Sequence, residues 1–333
     1  MNGKERILAA LRRETPDRVP VMEWFIDKKV SKTLVGTDDP VDQVELLDLD
    51  AVNLRADYTK EWTDENNYVD EWGTARQLTG DAIAASLSHP ISNVAEQADY
   101  QFPEPDAPGR FATLQRAVEK YGDTRAVIFN LRDGFSDMRD LLGYQDALMA
   151  MALEPVAFKD LLKRAIDYQL ALAKIAAERY GIQVVATTDD VCTANGPFLS
   201  MAMYEDVLLP AFNEVIAGYK SLGMYVIKHC DGDVRPLLQH WVDAGIDCLD
   251  PIDPGAGMDL AEMKKDWGDK IALKGNVDCT GNLCDGTPEQ VREEVRECLA
   301  KGGPDAYILS SSNTIHQGVL AENFKAMLDE ARK

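Results

Sequence analysis

From residue 183 to the C-terminus, the chain alternates between short apolar runs and longer amphipathic stretches. Each run is followed by a helical pattern, and the runs lie at 183–188, 224–228, 247–250, 270–274 and 306–310. Two further runs, at 49–54 and 125–130, extend the series toward the N-terminus. Short apolar strands that alternate with amphipathic helices of about ten or more residues are typical of a parallel sheet covered on both faces. The alternation predicts an α/β fold, a single (β/α)8 TIM barrel over residues 1–333.

A doubly wound open sheet is the alternative arrangement of these elements. That fold binds nucleotides through glycine-rich turns, but neither GxGxxG nor a P-loop follows any of the apolar runs. Two segments lie outside the alternation. Ile7, Leu8 and Leu11 share one face of a predicted N-terminal helix, and residues 58–110 are irregular, with a short hairpin expected around YVDEWGTARQL. We therefore expect one barrel domain with an N-terminal helical extension and an insertion near 58–110.

The composition excludes several classes of partner. The chain has 57 acidic and 35 basic residues, a formal net charge of -22 that repels nucleic acids and anionic membranes. No apolar run reaches the roughly 18 residues of a membrane span, and the charged N-terminus lacks the pattern of a signal peptide. The six cysteines form no CxxC pair and are expected to be reduced. We expect a cytoplasmic protein that acts on a small molecule, and a homodimer is compatible with the sequence.

Polar residues follow the predicted strands at the end where TIM barrels carry their chemistry. The group comprises Asp189, Asp190, His229, Asp231, Asn276, Asn313 and His316. Their recurrence after successive strands favours a catalytic or binding site at the mouth of the barrel. The alternative is that they are ordinary loop residues, because loops are polar in most proteins.

The stretch KHCDGDV (228–234) holds one of the four histidines of the chain. His229 and Asp231 are two residues apart and point the same way in an extended chain, whereas Cys230 points to the opposite side. A His-x-Asp pair, with His316 as a third ligand, would hold a divalent metal ion and leave a position for substrate. The alternative is that Asp231 caps the following helix and that His229 makes an internal hydrogen bond.

Aromatic residues collect in the N-terminal part of the chain, among them Trp24, Phe25, Trp62 and Trp72. Aromatic side chains of this kind wall binding pockets for apolar or aromatic ligands. They are as often plain core residues, and the sequence leaves both interpretations open.

Four segments resemble the uroporphyrinogen decarboxylase superfamily: ERILAALRRETPDRVPV at the N-terminus, GNVD, DGTPEQVREEV, and NTIHQGVLAENFKAM near the C-terminus. The resemblance extends over nearly the whole chain and implies a (β/α)8 barrel. It also implies one of two activities. Members of one branch decarboxylate uroporphyrinogen without a cofactor, and members of the other move methyl groups between a small substrate and a corrinoid protein, often with zinc.

The chain departs from the pattern of the decarboxylases. Their arginine pair, which holds the substrate carboxylates, is missing, and Phe25 stands where the first arginine would be. Asp57 does align with the catalytic aspartate of that branch. Without the arginine pair, a chain of charge -22 is a poor match for a porphyrinogen with eight carboxylates. The alternative function implied by this branch is therefore decarboxylation of a smaller carboxylic acid.

The zinc-dependent methyltransferases carry His-x-Cys-Gly where this chain has His229-Cys230-Asp231-Gly232, and a loop cysteine where it has Asn313. Aspartate in place of a thiolate gives a harder site, suited to an oxygen-containing substrate. The resemblance thus implies a corrinoid-dependent methyltransferase, an O-demethylase component that takes a methyl group from a methoxylated, perhaps aromatic compound. No DxHxxG corrinoid motif occurs, so the corrinoid would be carried by a partner protein.

This resemblance also suggests roles for individual residues. We expect His229, Asp231 and His316 to bind a divalent metal, most simply Zn²⁺, and Glu23 to be able to complete the site. The catalytic candidates that bind substrate, relay protons or orient groups are Asp57, Asp189, Asp190 and Asn276. The candidates for substrate binding are Glu23, Trp24, Phe25 and Asn313.

Overall fold

The computed structural model describes residues 1–79 and 84–333. Its strands, numbered in chain order, are β1 Ala51–Leu54, β2 Lys60–Trp62, β3 Asn67–Asp70, β4 Ala75–Gln77, β5 Ala85–Ser88, β6 Ala126–Arg132, β7 Val184–Thr188, β8 Cys192–Thr193, β9 Gly196–Pro197, β10 Tyr225–His229, β11 Cys248–Asp250, β12 Ala272–Val277 and β13 Tyr307–Ser311.

The α-helices are α1 Gly3–Leu11, α2 Lys28–Val35, α3 Pro40–Leu46, α4 Ala112–Tyr121, α5 Phe135–Leu142, α6 Tyr144–Leu153, α7 Pro155–Tyr180, α8 Met201–Met203, α9 Leu209–Ser221, α10 Arg235–Ala244, α11 Leu260–Trp267, α12 Asn282–Asp285, α13 Pro288–Gly302 and α14 Ala321–Glu330. Short 3-10 helices lie at Val94–Asp99 and Pro254–Ala256, and a π-helical turn lies at Tyr204–Leu208. Among the described residues, no helix is both long and apolar enough to span a membrane.

Seven parallel strands form the central sheet, in the order β1-β6-β7-β10-β11-β12-β13. The segment around Val21 lies between the two edges of this sheet. Val21 forms a parallel bridge with Leu309 of β13, and its carbonyl accepts a hydrogen bond from the Asp50 amide, directly before β1. This extended segment completes the ring as a short eighth strand. The predicted TIM barrel is confirmed, and the open sheet is excluded because the two edges are joined.

Side chains alternate along each barrel strand between the interior and the helical layer. The interior is filled toward its N-terminal end by small and branched residues, including Ala51, Ile128, Ala186, Ile227 and Ile308. Helix α1 packs its buried Ile7, Leu8 and Leu11 against this set and closes that end of the barrel. Ligands therefore have access from the opposite end, where the strands terminate in polar residues.

All seven predicted strands are present, with boundaries within three residues of those expected from the sequence. Helix α13 begins at Pro288, with Thr287 and Gln290 forming a reciprocal capping box. Residues 135–153 form two helices rather than one. Gly143, with φ of 90°, separates α5 from α6 there, because only glycine adopts that backbone conformation without strain.

The insertion contains more regular structure than the sequence indicates. The hairpin expected near 68–78 is present as β3 and β4, and it belongs to a four-stranded antiparallel sheet in the order β2-β3-β4-β5. Thr74 in this hairpin is buried and donates a hydrogen bond to the Asp140 carbonyl of α5. This contact holds the small sheet against the rim of the barrel, where it forms part of a cleft.

Candidate active site

Strand β10 ends at His229, whose ring points into the barrel. Parallel pairing places His229 beside Thr188 of β7 on one side and Asp250 of β11 on the other. The ring is buried, and its Nδ1 lies 2.7 Å from Asp250 Oδ2. The indole of Trp24 stacks on the imidazole at 4.4 Å between ring centroids. Register and stacking together fix the plane of the ring.

A buried lysine holds Asp250 from its other oxygen. Lys274 Nζ lies 2.5 Å from Asp250 Oδ1, and both side chains are inaccessible to solvent. Burial alone would raise the pKa of Asp250, but Lys274 and His229 outweigh it, so the net pKa is lowered. An ionised carboxylate only accepts hydrogen bonds, so the proton on the His229 ring belongs at Nδ1. Nε2 then presents its lone pair toward the mouth of the barrel.

Two carboxylates face Nε2 of His229. Asp231 Oδ1 lies 3.6 Å from it and Asp190 Oδ1 lies 3.9 Å from it. The three donor atoms lie within 4.8 Å of one another. Asn313 Nδ2 donates to Asp231 Oδ2 at 2.5 Å, while Asp231 Oδ1 is buried without any hydrogen-bond partner. A buried oxygen without a partner is costly, and a bound cation or proton would satisfy it.

The electrostatics of the trio favour a positive charge between its members. Burial raises the pKa of Asp231 to about 6, and the nearby His229 opposes that shift. Burial disfavours the charged form of His229, but the carboxylates of Asp231 and Asp250 outweigh it and raise its pKa. The trio offers one nitrogen and two oxygen donors with a carboxylate-held imidazole, which is the chemistry of a site for a divalent cation.

A cleft of about 510 Å³ opens beside the trio, between the barrel rim and the small antiparallel sheet. Asn130, Thr188 and Asp190 line its barrel side. Tyr58, Tyr68 and Trp72 contribute aromatic surface, and the remaining wall is rich in charge, with Arg55, Asp57, Lys60, Asp70, Arg76, Arg132, Asp137, Arg139 and Asp140. Its size and mixed lining suit a small organic ligand.

The uroporphyrinogen decarboxylase (URO-D) family matches residues 74–333, more than half of the chain. The chain belongs to that family. A methylated-thiol–coenzyme M methyltransferase of Methanosarcina mazei is 24% identical over 66% of this chain and 57% of its own length. A uroporphyrinogen decarboxylase of Psychromonas ingrahamii is 27% identical over 53% of this chain and 48% of its own length. This URO-D protein thus spans about half the length of these curated relatives.

Two further comparisons cover most of the chain. A methylcobamide:CoM methyltransferase, MtbA, of Methanosarcina mazei is 24% identical over 90% of this chain and 89% of its own length. A solved structure of a methyltransferase from Methanosarcina mazei superposes with a TM-score of 0.74 and 20% identity, over 100% of this chain and 98% of the other. The structural likeness supports the barrel fold. The sequence resemblance to both the methyltransferases and the decarboxylases of the URO-D family is confirmed.

His316, a predicted metal ligand, is not brought into the trio of this URO-D protein. Its Nε2 lies 2.9 Å from the Cys279 carbonyl, and its Nδ1 accepts from the Gly318 amide at 3.1 Å. Both ring nitrogens therefore have partners outside the trio. Asp190 takes the third position, because the turn after β7 directs its carboxylate toward His229.

Asp189 directly precedes Asp190, but its side chain lies on the other face of the sheet. Its carboxylate accepts hydrogen bonds from the amides of Phe135, at 2.5 Å, and Ser136, at the start of α5. Burial and the adjacent Asp133 carboxyl raise its pKa well above the usual range. Neighbouring residues at the end of a strand face opposite sides, so Asp189 supports a helix while Asp190 faces the cleft.

Asp57 and Asn276 are also engaged in structural contacts. Asp57 lines the cleft, but its carboxylate accepts from the amide and the hydroxyl of Thr113 in the first turn of α4, both at 2.8 Å. Asn276 donates to the Ile252 carbonyl at 2.6 Å. The structure therefore gives neither side chain a free hydrogen-bonding role beside the His229 trio.

The four predicted substrate-binding residues make different contacts around the site. Trp24 covers the His229 ring, and Asn313 holds Asp231. Phe25 packs its ring beneath the Arg55 guanidinium at 4.7 Å. Glu23 is buried behind them and accepts from the Ser311 hydroxyl at 2.6 Å, and burial raises its pKa to about 7. All four lie around the mouth of the barrel, although Glu23 faces a strand rather than the cleft.

Three important residues were missed from the sequence: Asp250, Lys274 and Arg55. A detectable signal existed for Lys274 and Asp250, because each is a charged residue within or directly after an apolar strand. Burial of charge is rare without a partner, so such positions indicate an internal ion pair. Arg55 gave no such signal, because an arginine just after a strand is common on protein surfaces.

Proposed function

We propose that this URO-D protein is a methyltransferase that moves a methyl group from a small oxygen-linked methyl donor to a corrinoid on a partner protein. The observation that carries the proposal is the trio His229, Asp190 and Asp231, whose nitrogen and oxygen donors converge beside the cleft. Thiolates are absent from this trio. A site of harder donors matches an oxygen-containing ligand better than a thiol.

The residues present fit a divalent metal ion, for which we propose Zn²⁺. His229 Nε2, Asp190 Oδ1 and Asp231 Oδ1 would be its ligands, and the unpartnered Asp231 oxygen is the structural reason to expect it. When bound, such an ion would act as a Lewis acid and stabilise the oxygen that leaves as the methyl group departs. His316 is not included among the proposed ligands because its ring nitrogens have other partners.

The protein's own residues orient the site. Lys274 and Asp250 hold the His229 ring through Nδ1, and Trp24 prevents the ring from tilting. Asn313 fixes Asp231 by one oxygen and leaves the other pointing into the site. Orientation of this kind maintains the donor geometry while substrate enters and product leaves. The aromatic residues of the cleft would place the methyl-bearing atom near the trio.

The acceptor is proposed on a different basis. One relative is named as a methylcobamide:CoM methyltransferase, and it covers nearly the whole chain. A corrinoid is far larger than a cleft of about 510 Å³. We therefore place the corrinoid on a partner protein that docks over the open end of the barrel. The methoxylated, aromatic donor and the O-demethylase role remain our proposals for this chain.

The decarboxylase alternative depends on Asp57, and the structure does not favour it. An aspartate that stabilises a cationic intermediate needs an oxygen directed at the substrate. Both carboxylate oxygens of Asp57 already accept hydrogen bonds from Thr113. The position of the missing arginine is occupied by Phe25, which further weakens the case for a polycarboxylate substrate.

The reaction is tested by mixing the purified protein with cob(I)alamin and a series of methoxylated and methylated compounds. Formation of methylcobalamin, followed by its absorption spectrum, is the expected result with at least one oxygen-linked donor. Metal content is measured on the same preparation, and full activity after chelation would exclude the metal assignment. A corrinoid protein replaces cob(I)alamin in a second arm, and failure of every donor in both arms would overturn the proposal.

A further inference from the structure

Arg55 differs from the other arginines of the cleft in having no acidic partner. Arg132 pairs with Asp137 and Asp140, and Arg76 pairs with Asp70 and Asp140. Within residues 1–79 and 84–333, no carboxylate lies within 4.0 Å of the Arg55 guanidinium, and it donates no hydrogen bond there. Its contact is with the face of Phe25, at 4.7 Å from the ring centroid.

The absence of an acidic neighbour is unusual in this chain. Acidic residues outnumber basic ones by 57 to 35, so most cationic side chains find a carboxylate. The Arg55 side chain lines the cleft and is exposed to solvent there. Desolvation by the surrounding protein and the positive charge of Arg132 lower its pKa to about 10, which still leaves it protonated at neutral pH. A solvent-exposed guanidinium that lines a cleft is free to form a charge-assisted hydrogen bond with an anionic ligand.

We infer that Arg55 binds the carboxylate of an organic acid that occupies the cleft. The inference rests on the proposed function, because it takes this cleft as the site of the methyl donor and names its class as an acid. A guanidinium offers two parallel N–H groups, which match the two oxygens of a carboxylate. Phe25 supports the guanidinium from below, so its remaining N–H groups face the ligand.

The lining of the cleft also indicates the chemistry of the rest of the ligand. Tyr58 and Trp72 are in edge contact at 5.8 Å and present aromatic surface to the same space. Five aspartates line the cleft, and three of them, Asp70, Asp137 and Asp140, are already paired with Arg76 or Arg132. Arg55 is left to balance one negative charge of a ligand, which matches a singly charged carboxylate better than a doubly charged phosphate. The ligand class is therefore a monocarboxylic acid with a ring or other flat apolar body.

The test measures binding of 4-methoxybenzoate and 4-methoxybenzamide by titration calorimetry. The two compounds have the same ring and methoxy group, but only the first is charged. We expect the wild-type protein to bind the acid at least about tenfold more tightly, as for a charge-assisted hydrogen bond. Arg55→Met is expected to remove the preference, and Arg55→Lys to retain part of it. Because Arg55 has no acidic partner, neither change leaves a carboxylate unpaired.

The matched control is Arg292→Met, which removes a half-buried arginine of α13 and changes the net charge equally. It should preserve the preference for the acid. Equal binding of acid and amide by the wild type, no binding of either, or a preference that survives in Arg55→Met would each overturn the inference.

The methyl-transfer assay separates this result from the fate of the proposed function. If neutral donors react as well as acids, and the acid shows no binding advantage, the inference fails while the function stands. If the acid binds through Arg55 but no donor yields methylcobalamin, the function fails while the anion site stands.

Discussion

Two buried lysine–aspartate clusters lie on opposite faces of β10. The inner cluster consists of His229, Asp250 and Lys274 and faces the barrel interior. The outer cluster begins at the preceding residue, Lys228, whose Nζ lies 2.9 Å from Asp133 Oδ2 behind the sheet. Both are almost inaccessible to solvent, and both contain a lysine paired with an aspartate. They differ in whether a donor atom remains available to a ligand.

In the outer cluster, the groups satisfy one another. Lys228 also donates to the carbonyls of Asp189 and His229, and Thr187 donates to Asp133 at 2.5 Å. The space beside it is only about 10 Å³, at the limit for a single water molecule. The inner cluster leads to His229 Nε2 and the unpartnered Asp231 oxygen, beside the cleft. Burial of charge therefore does not by itself identify a functional site, whereas an unsatisfied donor set beside open space does.

The largest expected effect is the loss of methyl transfer when the inner cluster is changed at His229. His229→Ala should lower methyl transfer by about 10²–10⁴-fold and abolish metal retention, because it removes the only nitrogen ligand of the trio. Methylcobalamin formation and metal content are the measurements. His240→Ala is the control, since that histidine lies on α10 and faces Glu205. Full activity in His229→Ala would show that the inner cluster is as structural as the outer one.

Lys228→Met tests the outer cluster. It leaves the Asp133 carboxylate buried without its cation, so we expect the free energy of unfolding to fall by about 3–5 kcal/mol. Denaturant titration measures this loss, and metal affinity of the folded protein should be unchanged. Thr187→Val removes only the hydrogen bond to Asp133 and serves as a milder variant, with an expected loss of about 1 kcal/mol.

Lys274→Met makes the matching change in the inner cluster. It should also reduce stability, but it should in addition weaken metal binding by about 10–100-fold, because Asp250 then holds His229 less firmly. Competition with a chelator gives the affinity. Equal metal affinities in Lys228→Met and Lys274→Met would remove the distinction between the two clusters.

Glu23 is a further buried ionisable group, and it should make the stability of the protein depend on pH. Its pKa in the folded protein is raised by burial from 4.5 to about 7, so the unfolded chain releases this proton first as pH rises. Stability contributed by the protonated form is complete below pH 4.5 and is lost as pH rises through 7. Between about pH 4.5 and 8, the free energy of unfolding of the wild type should therefore fall by roughly 3 kcal/mol relative to that of Glu23→Gln. Parallel unfolding curves for the two proteins across that range would contradict the expectation.

The smallest effect concerns Asp57, which resembles Asp189 in accepting hydrogen bonds at the start of a helix. Asp57→Ala should cost about 1 kcal/mol through loss of its contacts with Thr113, and methyl transfer should change by no more than a few-fold. Thermal unfolding and the methyl-transfer assay measure both. Complete loss of methyl transfer with an intact fold would contradict the structural role that these contacts give to Asp57.

The sequence determined the barrel through local patterns. Each strand is a short apolar run and each helix an amphipathic one, so the periodicities remain legible without knowledge of the neighbours. The relation of His229 to Asp231 was accessible for the same reason, because residues two apart in an extended chain face one side.

Tertiary structure decided which distant residues join His229. Parallel register places Asp250 beside it from 21 positions away, and Lys274 reaches Asp250 from a third strand. The loop conformations direct Asp190 toward His229 and His316 toward Cys279, although both residues follow strands at the same end of the barrel. Among the residues that the structure describes, the fold also left Arg55 without a carboxylate within 4.0 Å. These outcomes depend on strand order and turn geometry, which bring together side chains that no local pattern connects.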